Sequence, residues 1–195
     1  MSRNVLVGGL LAGIAIFCWS AFSHMALPIE PVKAIPNQDS VMAAIKANVP
    51  QAGFYLFPYD PPPPGASKEE QKAAMQRANE RYRAGPTGIL VVHPNGLDPF
   101  GVKLLAFELG TDILEGVIAA LLLSVALGSP AMAGFFGRVG FVTALGTLAW
   151  VAVILSYRIW YGFPTTYVIG EAFDQIGSGF VAGLVLAWRL KPARV

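Results

Sequence analysis

Four apolar runs and one long polar stretch set the pattern of this chain. The first run, from Asn4 to about His24, is uncharged and long enough to cross a bilayer as a helix. Three more follow the polar stretch: Glu108 to Gly128, Val139 to Tyr157, and Thr165 to Arg189. Gly128 to Arg138 reads as a short loop. Ser156 to Pro164 reads as a second, rich in the aromatics that settle at bilayer interfaces. The expected fold is a mainly α membrane protein. It has four transmembrane helices at 4–24, 108–128, 139–157 and 165–189, with a small extracytoplasmic α+β domain at 27–107 inserted between the first two.

The stretch from Leu27 to Phe107 carries eight basic and seven acidic residues and most of the prolines. Pro36-Asn37-Gln38-Asp39 predicts a helix start, with Val41, Met42, Ile45 and Val49 as its apolar stripe. Gly53 to Phe57 predicts a strand, and Pro61 to Pro64 a stiff, extended connector. Ser67-Lys68-Glu69-Glu70 is a capping box that opens a helix ending near Ala84, where Gly85-Pro86 stops it. That helix has a thin apolar face of Ala74, Ala78 and Tyr82, with Met75 beside it, which predicts a surface position. Gly88 to His93 predicts a second strand, closed by Pro94-Asn95-Gly96. About 80 residues in this order bury too little to be very stable alone, so the segment is expected to lean on the helices or on a partner.

Composition agrees with the bilayer. The 195 residues are 54% hydrophobic and 13% charged, about half the charged share of a soluble domain. A net charge of +2 gives no basis for a nucleic-acid partner. A single cysteine, Cys18, excludes an internal disulfide and any multi-thiolate zinc site. No phosphate-binding loop, nucleophile elbow, haem-attachment motif or dinucleotide fingerprint occurs, and no cofactor is expected.

Position matters more than number for the basic residues. Arg3, Arg138, Arg189, Lys191 and Arg194 fall at one end of the four runs with no acid among them. The positive-inside rule then puts both termini and the loop around Gly134 in the cytoplasm. The mixed-charge segment falls outside, which in a bacterium is the periplasm. The alternative for the first run is a cleaved signal peptide, since Ala21 and Ser23 are small enough for a peptidase site before His24. Trp19 and Phe22 favour an interfacial helix end instead.

The chemistry is carried by five acids. Glu108, Asp112 and Glu115 stand at i, i+4 and i+7, on one face of a helix. Glu171 and Asp174 open the last run at i, i+3. They are the only acids outside 27–107. Acids in a membrane span mark function or a buried ion pair. Helices of about 20 residues, counted back from their inner ends, put both groups in the outer leaflet. The candidate counter-charges are Arg158 and Lys103, with Ser156, Tyr157, Thr165, Thr166, Tyr167, Gln175 and Ser178 as hydrogen-bonding neighbours. Three roles are open: a structural ion pair, a proton or cation path, and a metal site using His24. The metal is the weakest, because no Glu-x-x-His pair accompanies the histidine. Gly9-x-x-x-Gly13 and Gly179-x-x-x-Gly183 match the small-residue packing pattern of membrane helices. They serve internal packing or, alternatively, a homo-oligomer face.

Phe17-Cys18-Trp19-Ser20-Ala21-Phe22-Ser23-His24-Met25-Ala26-Leu27-Pro28, the run from Asp39 to Pro58, and Arg81-Tyr82-Arg83-Ala84-Gly85-Pro86-Thr87-Gly88 together resemble a family of hypothetical bacterial membrane proteins with no known activity. The resemblance covers about the first half of the chain. It implies a bacterial origin and an inner-membrane location, and carries no functional residues across. The expected role is non-enzymatic: an accessory, assembly or interaction subunit whose partners are the bilayer and another membrane or periplasmic protein. The alternative is a small proton- or cation-coupled carrier using the five acids.

Overall fold

The computed structural model describes residues 2–27 and 33–192. Arg194 and Pro28, which entered the arguments above, lie outside the described residues. The chain is mostly helical and divides into two compact units, residues 1–32 with 98–195 and residues 33–97.

The first unit holds four long helices: α1 (Arg3–Ala26), α4 (Val102–Ala126), α5 (Phe135–Tyr161) and α6 (Thr165–Arg189). Each is long and apolar enough to span a membrane, the signature of a multi-pass membrane protein. Between α4 and α5 lies a single 3-10 turn, Pro130–Met132. Helix α1 packs along both α4 and α6, and α5 packs along α6, while α4 and α5 scarcely touch. A core of Ala12, Ile16, Ala120, Leu123, Val142, Ala182 and Leu186 joins them.

Two glycine pairs set the close approaches. A Cβ on Gly9 would lie 2.7 Å from the Val117 Cα, and one on Gly13 would overlap the Ile113 backbone. Gly179 and Gly183 meet Val142, Thr143 and Val139 of α5 in the same way. Both motifs are thus used inside the bundle, where small residues let backbones approach and gain dispersion contact.

The helices run past the charges that mark their ends in the sequence. Helix α4 begins at Val102, six residues before Glu108, and α5 runs from Phe135 to Tyr161 through Arg138 and Arg158. The reason is length. At about 1.5 Å per residue, such helices exceed the roughly 30 Å hydrocarbon core, so their end turns carry charge at the interface. Gly162, left-handed at φ 71°, stops α5.

The second unit contains α2 (Gln38–Asn48), β1 (Gly53–Phe57), α3 (Lys68–Ala84) and β2 (Gly88–Val92). The strands pair antiparallel, with Gly53 opposite Val92 and Phe57 opposite Gly88. Ser67 and Glu70 form the reciprocal capping box, the Glu70 amide donating to the Ser67 hydroxyl at 3.3 Å. Asp60 and Arg81 form an ion pair in this unit. Its only buried residues are Ala74 and Val92, among those described.

Candidate functional site

The acids of α4 and α6 meet in the bundle. Asp112 is 6% exposed and lies within electrostatic reach of Glu108, Glu115 and Asp174. Glu115 is likewise within reach of Asp174. Because α4 starts at Val102, Asp112 is its eleventh residue and Glu115 its fourteenth of 25. These acids therefore sit near the middle of the helix, deeper than a start at Glu108 implies. Glu108 is exposed and shares a cavity with His24 and Phe100. Glu171 is half-buried one turn before Asp174.

Asp174, 8% exposed, is held by α1. The Ser23 hydroxyl lies 2.5 Å from its Oδ1, and the Trp19 indole N–H donates to its backbone carbonyl at 3.2 Å. The Trp19 ring rests where Gly177 has no side chain. Neither Ser23 nor Trp19 stands out in the sequence as a partner for this acid. The one available signal is the pair Ser20 and Ser23, whose polar atoms interrupt the end of an apolar helix.

Asp112 is treated differently. Its Oδ2 is fully buried and finds no hydrogen-bond donor among the described residues. Desolvating a carboxyl without a partner is costly, so this oxygen is a place where a proton or a cation can bind.

The candidate counter-charges contact other groups. The Arg158 guanidinium donates to the Phe163 carbonyl at 3.2 Å, and the Lys103 ammonium lies 5.9 Å above the Phe107 ring. Neither forms an ion pair with Glu108, Asp112, Glu115 or Asp174 among the described residues. The Ser156 hydroxyl donates to Ala152 of its own helix. Tyr161, Tyr157, Phe163 and Tyr167 form a chain of tilted ring contacts around the α5–α6 turn, with successive centroids 4.7–5.8 Å apart. His24 is exposed, its Nδ1 3.4 Å from the Ser23 hydroxyl. Among the described residues no three His, Cys, Asp or Glu side chains converge to hold a metal ion.

A buried cation stands at the other end of the bundle. Arg138, 5% exposed, donates to the carbonyls of Met132 (2.8 Å), Ala133 (2.9 Å) and Ala187 (3.2 and 3.3 Å). Ala187 lies in the last turn of α6, where carbonyls lack an intrahelical donor and the helix dipole is negative. Gly8 of α1 faces Leu186 and Arg189, so Arg3, Arg138 and Arg189 gather at this one end.

The near-absence of contact between α4 and α5 leaves a cleft of about 210 Å³. Glu115 and Gln175 are its polar residues. Ile118 and Leu122 of α4 line it, and Ala119, Gly146, Ala149, Gly179 and Ala182 are its small residues. Comparison with known protein families, curated proteins and solved structures finds no match for this chain.

Proposed function

We propose that this chain is a bacterial inner-membrane protein with cytoplasmic termini and an extracytoplasmic α+β domain at 33–97. In this reading it acts without catalysis, as an accessory or assembly subunit that docks a partner protein. One observation carries the docking role. Residues 33–97 bury only Ala74 and Val92, and leave Met42, Met75 and Val91 more than half exposed. A two-stranded sheet with so small a core needs a further surface to lean on. The gathering of Arg3, Arg138 and Arg189 at one end supports the orientation.

The test is purification of the tagged full chain from its native membrane in a gentle detergent. A protein recovered in stoichiometric amount, and lost when Met42 and Val91 are both changed to Ser, is the expected result. A clean monomer overturns the reading.

The second reading is a proton- or cation-coupled carrier, and Asp112 is the observation that favours it. Its buried oxygen has no donor among the described residues, and three further acids, Glu108, Glu115 and Asp174, lie within reach. A carrier would lose flux on Asp112→Asn while folding and inserting as before.

A further inference from the structure

The cleft between α4 and α5 poses a problem that the chain itself does not solve. Glu115 stands in the middle of α4 and is exposed at the cleft, on the side of the helix that also presents Leu114, Ile118 and Leu122. An acid facing hydrocarbon at mid-span needs a partner. Arg138 is spent on three carbonyls at one end of the bundle, Arg158 on Phe163, and Lys103 lies over Phe107.

We propose that this cleft receives a transmembrane helix of a partner protein, whose mid-membrane lysine or arginine enters it and pairs with Glu115. The proposal rests on the accessory-subunit reading and names the chemistry of the partner. Three observations select this occupant. The cavity holds one long side chain and not a helix, so the partner helix must lie along the α4–α5 gap and send a side chain in. Ala119, Ala149 and Ala182 line it with methyl groups only, which leaves that side chain room. Glu115 supplies the negative charge, and Gln175 an amide oxygen, for a cationic head group. A second copy of this chain does not fit. Each basic residue in its four long helices lies within four residues of a helix end: Arg3, Lys103, Arg138, Arg158 and Arg189. None reaches the depth of Glu115.

The full chain reconstituted in lipid vesicles tests this with a synthetic Leu/Ala transmembrane peptide bearing one central Lys. Association is read by energy transfer and compared with the same peptide bearing Leu at that place. The Lys peptide is expected to bind about tenfold more tightly than the Leu peptide. The preference should vanish in Glu115→Gln, persist in Glu115→Asp, and fall in Ile118→Trp, which fills the cleft. Equal binding of the two peptides to the wild type overturns the proposal, as does a preference that survives Glu115→Gln. Self-association that depends on Glu115 would make the occupant a second copy and overturn it too. Purification of Glu115→Gln from native membranes separates this proposal from the reading beneath it. A partner recovered equally with wild type and variant leaves the accessory role standing and removes the cleft from it. A wild type without any partner removes both.

Discussion

The bundle buries an arginine at one end and an aspartate near the middle of a helix, and it treats the two in opposite ways. Arg138 and Asp112 are almost equally hidden, at 5% and 6% exposure. Arg138 spends its guanidinium on three carbonyls from two neighbouring segments, one of them at an unsatisfied helix end. Asp112 keeps a buried oxygen that meets no donor among the described residues, with other acids as its electrostatic neighbours. A buried charge with a partner at each of its nitrogens is a joint: it fixes the α5 entry against the α6 exit and needs no further role. A buried acid placed among other acids is a burden on the fold. The contrast argues that the Arg138 site is built for stability and the Asp112 site for something that stability does not explain.

Arg138→Ala should cause the largest loss. It leaves the Ala187, Met132 and Ala133 carbonyls without their donor in a buried place, at about 1–3 kcal/mol for each group left unsatisfied. We expect a total near 3 kcal/mol or more, read as a lower unfolding midpoint in detergent. Arg138→Lys should recover only part of it, since one ammonium cannot reproduce the planar fork. A loss below about 1 kcal/mol would erase the distinction between the two sites.

Asp112→Leu is the opposing experiment. Replacing an unpartnered buried carboxyl with an apolar side chain of similar size should stabilise the bundle, by about 1–2 kcal/mol. If the variant is instead destabilised as strongly as Arg138→Ala, Asp112 is a structural group and its site is a second joint. If it is stabilised but loses flux or partner binding, the acid is kept for function at the expense of the fold.

Local signals in the sequence are recovered closely where the cause is local. The Ser67–Glu70 capping box, the strand at Gly53–Phe57, the helix stop at Gly85 and the extent of α6 all rest on residues near one another in the chain. Helix ends are less readable where a charge stands near an apolar run. Lys103, Arg138 and Arg158 mark where hydrocarbon becomes costly, not where backbone hydrogen bonding stops, so α4 and α5 extend beyond them. The shared face of Glu108, Asp112 and Glu115 follows from spacing alone. The attachment of Asp174 to Ser23 does not, because 151 residues separate the two and only the packing of α1 on α6 joins them. Arg138 is the sharpest instance. In the sequence it is a loop cation that signals orientation, and only the folded chain brings the carbonyls that enclose it.

The smallest effect belongs to an acid that has partners and lies at the surface, and it serves as the control for Asp112. The Glu70 carboxylate accepts from the Ser67 amide at 2.7 Å and from its hydroxyl at 2.9 Å. The backbone bond first, and the hydroxyl second, hold its carboxyl below the ordinary carboxylate range. The sign follows from linkage. A group with a lowered value in the folded state adds stability that is complete above its unfolded value, about 4.3 for glutamate, and fades as pH falls through the folded value. Ser67→Ala removes the hydroxyl but leaves the amide. It should cost the α3 helix about 0.5–1 kcal/mol at neutral pH through the lost cap, and leave a shallower fall in helicity below about pH 4. Circular dichroism of the full protein against pH reads both. An acid dependence identical to wild type would show that Glu70 and Ser67 do not act as a pair. An acid titration that Ser67→Ala changes is the behaviour of a carboxylate fixed by its donors, the condition that Asp112 lacks.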